Sequence, residues 1–214
     1  VKAVYPEARI VVGGLDDIRT LKREVFNADI VLNLAATVHA VGVLAIAEAF
    51  ELRRKGSKKP AYWVQMSGGS VFIAEEVRQK RFGYANEVVH DDLADRDRTI
   101  SIINQNPDRI SEHIVLRQPP DVIKTALLMG PHVYGRGRGP WNQRTVQCTE
   151  IARATLKLGY GFQLNDGANV WSTVHVADFA NLVCLLVQAA IEGKDNGLWN
   201  QDGIYHPENG KMVS

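Results

Sequence analysis

The chain has 214 residues, 45% of them hydrophobic and 23% charged, with 18 glycines and 8 prolines. That is the composition of an ordinary globular protein able to bury a core, and it excludes collagen, a coiled coil and wholesale disorder. With 25 basic and 24 acidic residues the net charge is +1, so no global field draws the chain to nucleic acid or a membrane surface. Two cysteines, Cys148 and Cys184, cannot build a disulfide framework or a Cys-rich metal site. No apolar run reaches the ~18 residues of a membrane span and no signal-peptide pattern opens the chain, so the expected location is the reduced cytoplasm. The sequence opens on Val1 rather than Met, and the reading expects a missing upstream piece.

In chain order, Ala8 to Val12 is a β-rich run closed by Gly13-Gly14. Asp17 to Phe26 follows with Ile18, Leu21, Val25 and Phe26 at helical spacing, and Asp16 or Asp17 is its natural N-cap. Asp29 to Leu34 is a continuous apolar run, as a strand buried on both faces requires. His39 to Lys55 is an Ala-rich helix ending in Arg53, Arg54 and Lys55, where the dipole favours cations, with Gly56 as its stop. Ala61 to Met66 is a third strand, ending in Ser67-Gly68-Gly69-Ser70. Residues 75–107 are charged and weakly periodic, and read as mostly irregular with short helical pieces. Arg109 to Leu116 reads as a helix stopped by Pro119-Pro120, and Val122 to Met129 as a fourth strand broken at Gly130-Pro131. Thr145 to Leu158 is a further helix and Val170 to Val174 a short strand. Val176 to Glu192 is apolar enough to demand extensive burial. Strands alternating with helices predict an α/β protein with a parallel sheet and helices on both faces.

The order of landmarks resembles that of the extended or atypical short-chain dehydrogenase/reductases of the NAD-dependent epimerase/dehydratase kind. The matching pieces are Val11 to Asp17 for the family's Gly-Asp-Leu-x-Asp strand end, Ala28 to Ala36 for its strand ending in Ala-Ala, and Val64 to Gly68 for its active-site serine strand. Gly130-Pro131-His132-Val133-Tyr134-Gly135 matches Pro-x-x-Val-Tyr-Gly, and Val174 to Asp178 matches Val-His-Val-x-Asp. The resemblance implies a Rossmann-like sheet incomplete at its N-terminus. It places a partial dinucleotide-binding core in residues 1–135 and a substrate-side segment in 136–214, whose helix 176–192 packs back on the core.

Two departures stand beside these matches. The family's GxxGxxG turn lets backbone N–H groups and a helix N-terminus approach the cofactor pyrophosphate, and no such sequence exists here. The family's Tyr-x-x-x-Lys dyad moves a proton while hydride is exchanged with nicotinamide, yet Tyr84 is followed at that spacing by Val88. Aligning on the helix before Val115 offers Asn104 with Asp108, or Gln105 with Arg109. Neither frame restores the dyad.

From the resemblance, Ser67 and Tyr84 are the expected catalytic residues, and Leu15, Asp16, Ala35, Ala36 and Pro131 the expected cofactor contacts. The bland alternatives are a turn serine for Ser67, a packed loop for Tyr84 and a helix cap for Asp16. Ser70, Arg136, Asn142 and Arg144 are expected on the substrate, the loop 136–144 carrying three arginines and two amides able to hold an anionic group. Arg109 could replace the lysine charge but does not titrate, and its bland alternative is a helix-end ion pair with Glu112. The six histidines show no metal-ligand spacing, and no metal is expected. The implied function is an NAD- or NADP-dependent oxidoreductase or epimerase acting on a small carbonyl, hydroxyl or sugar-like compound, with weak or absent cofactor binding in this piece. The alternatives are a non-catalytic nucleotide-binding or regulatory protein of the same fold, and an inactive truncated product. Partners are limited to the small-molecule substrate, without nucleic acid or membrane. The strand near Ile10 is expected to pair directly with that near Val31, closing the gap left by absent strands.

Overall fold

The computed structural model describes residues 2–54, 56, 59–140 and 143–213. Its core is a four-stranded parallel sheet of order β1-β2-β3-β6, formed by Ile30–Asn33 (β1), Ala61–Gly68 (β2), Ile123–Gly130 (β3) and Ile204–Tyr205 (β6). Each parallel pairing is bridged by a crossover. The helix Ala40–Arg54 (α2) links β1 to β2, and Ala74–Gln79 (α3), Arg96–Gln105 (α4) and Ile110–Leu116 (α5) lie between β2 and β3. A second, three-stranded sheet joins His132–Tyr134 (β4), Val170–His175 (β5) and Gly210–Val213 (β7), β4 parallel and β7 antiparallel to β5. The remaining helices are Ile18–Phe26 (α1), Val146–Leu158 (α6) and Val176–Ile191 (α7). The fold is Rossmann-like α/β.

Because side chains alternate along a strand, β2 presents two different faces. Ala61 and Trp63 enter a cluster with Val43, Ile46 and Phe50 of α2, Ile103 of α4, Val115 of α5 and Val25 of α1. Tyr62 and Val64 enter another with Phe179, Val183 and Leu186 of α7 and with Trp199. Both faces are thus covered, which is why β2 and β3 read as uninterrupted apolar runs. The ring of Trp63 is fully buried, with its centroid 6.1 Å from that of Phe50. Gly203 sits where β6 meets β3: a Cβ there would lie 2.5 Å from the Thr125 carbonyl oxygen and 2.8 Å from the Trp199 Cα. The carbonyl of Gly203 accepts from the Leu127 N–H. No larger residue fits that approach.

Several expectations are corrected. Residues 8–12 form no strand, and β1 pairs only with β2 among the described residues, so the expected pairing of residues 9–12 with 29–33 is absent. The segment runs instead along α1: Arg9 pairs with Glu24, and Gly13 lies against Asp17 and Thr20. Val12 is 91% exposed. The apolar helix near 176–192 is only half buried: Phe179, Val183 and Leu186 face the sheet, while Leu185 and Ile191 are 55% and 73% exposed. The three short strands β4, β6 and β7 have no counterpart in the sequence reading. The first sheet takes β6 from beyond residue 135 and the second takes β4 from before it.

Candidate functional site at the carboxyl ends of the parallel strands

Parallel register brings the carboxyl ends of four strands to one rim. Asn33 lies opposite Gln65, Gly68 opposite Gly130, and Leu128 opposite Tyr205. Beyond these ends come Leu34-Ala35-Ala36, a 3-10 turn at Gly69–Val71, Pro131, and His206. A buried amide ladder stiffens the first two ends. Asn33 Nδ2 donates to Gln65 Oε1 at 2.9 Å, and Gln65 Nε2 donates to the carbonyls of Met66 at 2.8 Å and Ala36 at 3.5 Å. Gln65 is fully buried, so these bonds replace hydration that the side chain has lost.

Leu15 and Asp16 lie against the start of α2, the Leu15 carbonyl facing Gly42 and Asp16 meeting His39. Asp17 is the α1 N-cap: its Oδ1 accepts from the Thr20 N–H at 3.1 Å, which holds the Asp17 carboxyl below its ordinary range. Asp16 accepts from His39 Nε2 at 3.1 Å instead. His39 Nδ1 accepts from the Gly42 N–H in the first turn of α2, so the neutral ring carries its proton on Nε2. Asp16 therefore secures the residue that caps α2. Ala35 is exposed and Ala36 half-buried. Neither alanine carries more than a methyl group there.

The two serines of the β2 end differ sharply. Ser67 is 1% exposed and its Oγ donates to Glu112 Oε1 of α5 at 2.5 Å, inside the sheet–helix layer and below the rim. Ser70 is exposed at the rim, where its Oγ accepts from Arg109 Nη1 at 3.1 Å and its carbonyl from Arg109 Nη2 at 2.5 Å. Arg109 thus grips Ser70 rather than Glu112, and α5 clasps the end of β2 through two side chains. Alternation from Trp63 was the available signal: Ser67 shares its face with Gln65 and points inward.

Tyr84 lies apart from that clasp, in the segment between α3 and α4. Its neighbours are tied to residues 165–168, through Asn165 Nδ2 donating to the Phe82 carbonyl and the Ala168 N–H donating to that of Gly83. Asn104 and Asp108 are exposed, and Gln105 donates to Ser101. Arg136 donates to Gln143 Oε1 at 3.2 Å and Gln143 in turn donates to the Gly139 carbonyl, so the arginine loop folds on itself. Arg144 is exposed; Asn142 lies outside the described residues.

Sequence reasoning missed an aromatic cluster at the rim. Phe72 stacks on His90 at 4.4 Å and meets His206 edge-on at 5.0 Å. Both ring nitrogens of His206 are buried, and burial pushes the imidazole toward its neutral form despite Asp92, the His90 backbone, Asp91 and Asp95 nearby. His90 is shifted the same way, first by burial and then by Arg98 and His206. Only the pairing of a two-residue strand brings His206 here, and such a strand has no periodicity to read.

Across the start of the second sheet, Tyr134 meets His175 edge-on at 5.3 Å, and His132 stacks on Trp171 at 3.8 Å and 9°. Gly135 follows with φ +97°, and a Cβ there would lie 2.4 Å from His175 Nε2. His175 Nδ1 accepts from the Ala177 N–H and caps α7.

No family model matches the chain. A curated relative, the oxidase UcsJ of Acremonium sp., is 30% identical over 99% of this chain and 63% of its own length. The dTDP-glucose 4,6-dehydratase DesIV of Streptomyces venezuelae, solved with NAD and DAU bound, is similar with a TM-score of 0.64 at 16% identity, over 99% of this chain and 62% of that one. MoeE5, in complex with UDP-glucose and NAD, is similar with a TM-score of 0.57 at 19% identity, over 95% and 64%. The chain therefore spans somewhat under two thirds of the length of the proteins it matches. Its fold is similar to theirs, a Rossmann-like parallel sheet with helices on its faces. Among the described residues no helix is long and apolar enough to cross a membrane.

Proposed function

We propose that this chain is the sheet-and-rim part of a nicotinamide-dependent oxidoreductase or epimerase of the extended short-chain dehydrogenase/reductase family, taking NAD or NADP and acting on a small carbonyl, hydroxyl or sugar-like compound. The observation that carries the reading is the rim itself. Parallel α/β sheets take ligands in the crevice outside the carboxyl ends of their strands. Here those ends carry the small residues Ala35, Ala36, Gly68 and Gly69, a cradle that larger side chains would fill.

The rim fits one part of a dinucleotide better than the other. Small residues admit a flat ring and its ribose, whereas the Gly-rich turn that would give N–H bonds to the pyrophosphate is not in this sequence. When bound, a nicotinamide supplies hydride donation or acceptance. The chain's own residues would then orient the reactants. Gln65 and Asn33 fix the Ala36 turn, and Ser70, accepting from Arg109, keeps its own proton to donate to the reacting oxygen. Ser67 spends its proton on Glu112, so Ser70 is the better of the two hydroxyls. Saturation-transfer NMR of the 214-residue chain with NADH tests the reading. Two missing charge-assisted bonds would weaken affinity ~100-fold, so the expected signal is weak but saturable, and absence of transfer would overturn the proposal.

A second reading, nucleotide binding without hydride chemistry, is favoured by the residues standing in for the dyad. Asn104 and Asp108 cannot form a phenolate–ammonium pair, and an arginine at position 109 does not titrate. NADH binding without NADH oxidation across a panel of small carbonyl compounds would select it.

A further inference from the structure

A cavity of about 270 Å³ opens between the second sheet and the start of α6. Its walls are His132, Val133 and Tyr134 of β4, Thr173 of β5, and Thr145 and Cys148 at the α6 end, with the amide of Gln147 beside them. Among the described residues no lysine, arginine, aspartate or glutamate lines it. The volume lies just under the ~300–1,000 Å³ usual for small-molecule clefts. A diphosphate placed here would leave water without a cation to meet it, at a cost no apolar wall offsets.

One polar group in this wall is positioned and unsatisfied. The His132 ring lies flat on Trp171, 3.8 Å away and 9° from parallel, so it is held in one orientation. Its Nδ1 is buried and has no hydrogen-bond partner. Burial also lowers its affinity for a proton, which leaves a neutral imidazole able to donate or accept one bond. Only Pro131 separates the end of β3 from the start of β4, so the cavity adjoins the strand-end rim.

We infer that this cavity is the subsite for an apolar small molecule bearing a single carbonyl or hydroxyl oxygen, which His132 meets, and that it does not take a nucleoside-diphosphate sugar. The inference rests on the oxidoreductase reading only in taking the occupant to be the compound oxidised or reduced.

The two free cysteines provide the test, since both are exposed and Cys148 lines the cavity whereas Cys184 lies on α7 outside it. Alkylation of each by N-ethylmaleimide is followed by mass spectrometry, with 2-octanone, UDP-glucose or neither present. An occupant at about ten times its Kd should slow reaction at Cys148 about tenfold. The expected result is slowing by 2-octanone at Cys148 alone, reduced in His132→Ala, and no effect of UDP-glucose. Protection of Cys148 by UDP-glucose overturns the inference, as does equal slowing at both cysteines or no slowing by the ketone. The assay runs without cofactor, and so separates the two claims. Ketone protection in a chain that fails to bind NADH keeps the subsite and sinks the oxidoreductase reading, and NADH binding without protection does the reverse.

Discussion

The pair β2–β3 and the helix α6 belong to one chain yet are built on opposite terms. Every residue of β2 from Ala61 to Gln65 is buried, and so is the run Thr125 to Met129 of β3. In α6 no residue is buried, and Leu156 is 83% exposed. Hydrophobic stabilisation scales with apolar area removed from water, so the first region should carry the stability of the fold. The second, which walls the cavity, is held lightly. A ligand-handling element drawn from the low-stability part of a structure is free to move without unfolding the rest.

The sharpest way to break this contrast is to empty the core. Trp63→Ala should cost about 3–5 kcal/mol, enough to abolish cooperative thermal unfolding in a domain of ordinary stability. A calorimetric scan retaining a sharp transition near that of the parent would refute it. Gly203→Ala comes next. The strain of displacing the Thr125 carbonyl or the Trp199 backbone should cost about 1–3 kcal/mol, read as a lower urea midpoint with near-UV loss of the buried Trp199 signal.

Ser67→Ala should be of similar or smaller size, about 1–3 kcal/mol, because it leaves the buried Glu112 carboxylate short of a donor. Tyr84→Phe should stay within about 0.5 kcal/mol. The strand-end position that the resemblance gives Ser67 implies that Ser67→Ala reduces turnover more than Tyr84→Phe does. The buried partner adds a stability loss, and equal urea midpoints for Ser67→Ala and the parent would remove that claim.

A pH titration sharpens the contrast at the rim. His206, His90 and His132 are all held toward the neutral form, chiefly by burial. Their folded pKa values lie below the unfolded value of about 6.5, so below that pH the unfolded chain binds more protons. Stability contributed by neutral burial is full above pH about 6.5 and falls as pH drops through the interval down to the folded values. The urea midpoint should fall with acidification over that interval, and less steeply in His206→Phe; an unchanged slope would show that His206 contributes nothing. The smallest effect is expected in α6, where Leu156→Ser should shift stability by no more than about 0.5 kcal/mol. A shift comparable to that of Trp63→Ala would end the comparison.

What the sequence made legible follows the same division. β2 and β3 were readable because burial on both faces leaves an uninterrupted apolar run, and α2 because His39 and Gly56 bracket it. The run at 8–12 has the same β-rich composition, but composition does not supply a neighbouring strand, and the segment lies along α1. At the rim, Ala35 and Ala36 could be placed from the strand preceding them, since a strand end needs only local pattern. The roles of Ser67 and Ser70 could not be separated by residue type, because the distinction rests on Ser67 lying within β2, under α5, and Ser70 in the exposed turn beyond it. Nor was the stack of His132 on Trp171 foreseeable: the rings meet only through the pairing of His132 with Thr173, segments far apart in the chain.

The position of β6 beside β3 bears on how the protein is made. Until residue 205 has left the ribosome, β3 has one paired edge and one open one, with Leu127 and Leu128 lacking the strand that completes their layer. An open, apolar strand edge is a template for other chains, and contacts distant in sequence form late. Synthesis therefore passes through a nascent species exposed to misassociation, and a ribosome-bound chain stalled after α7 should recruit holdase chaperones more strongly than one carrying residues 204–205 clear of the exit tunnel.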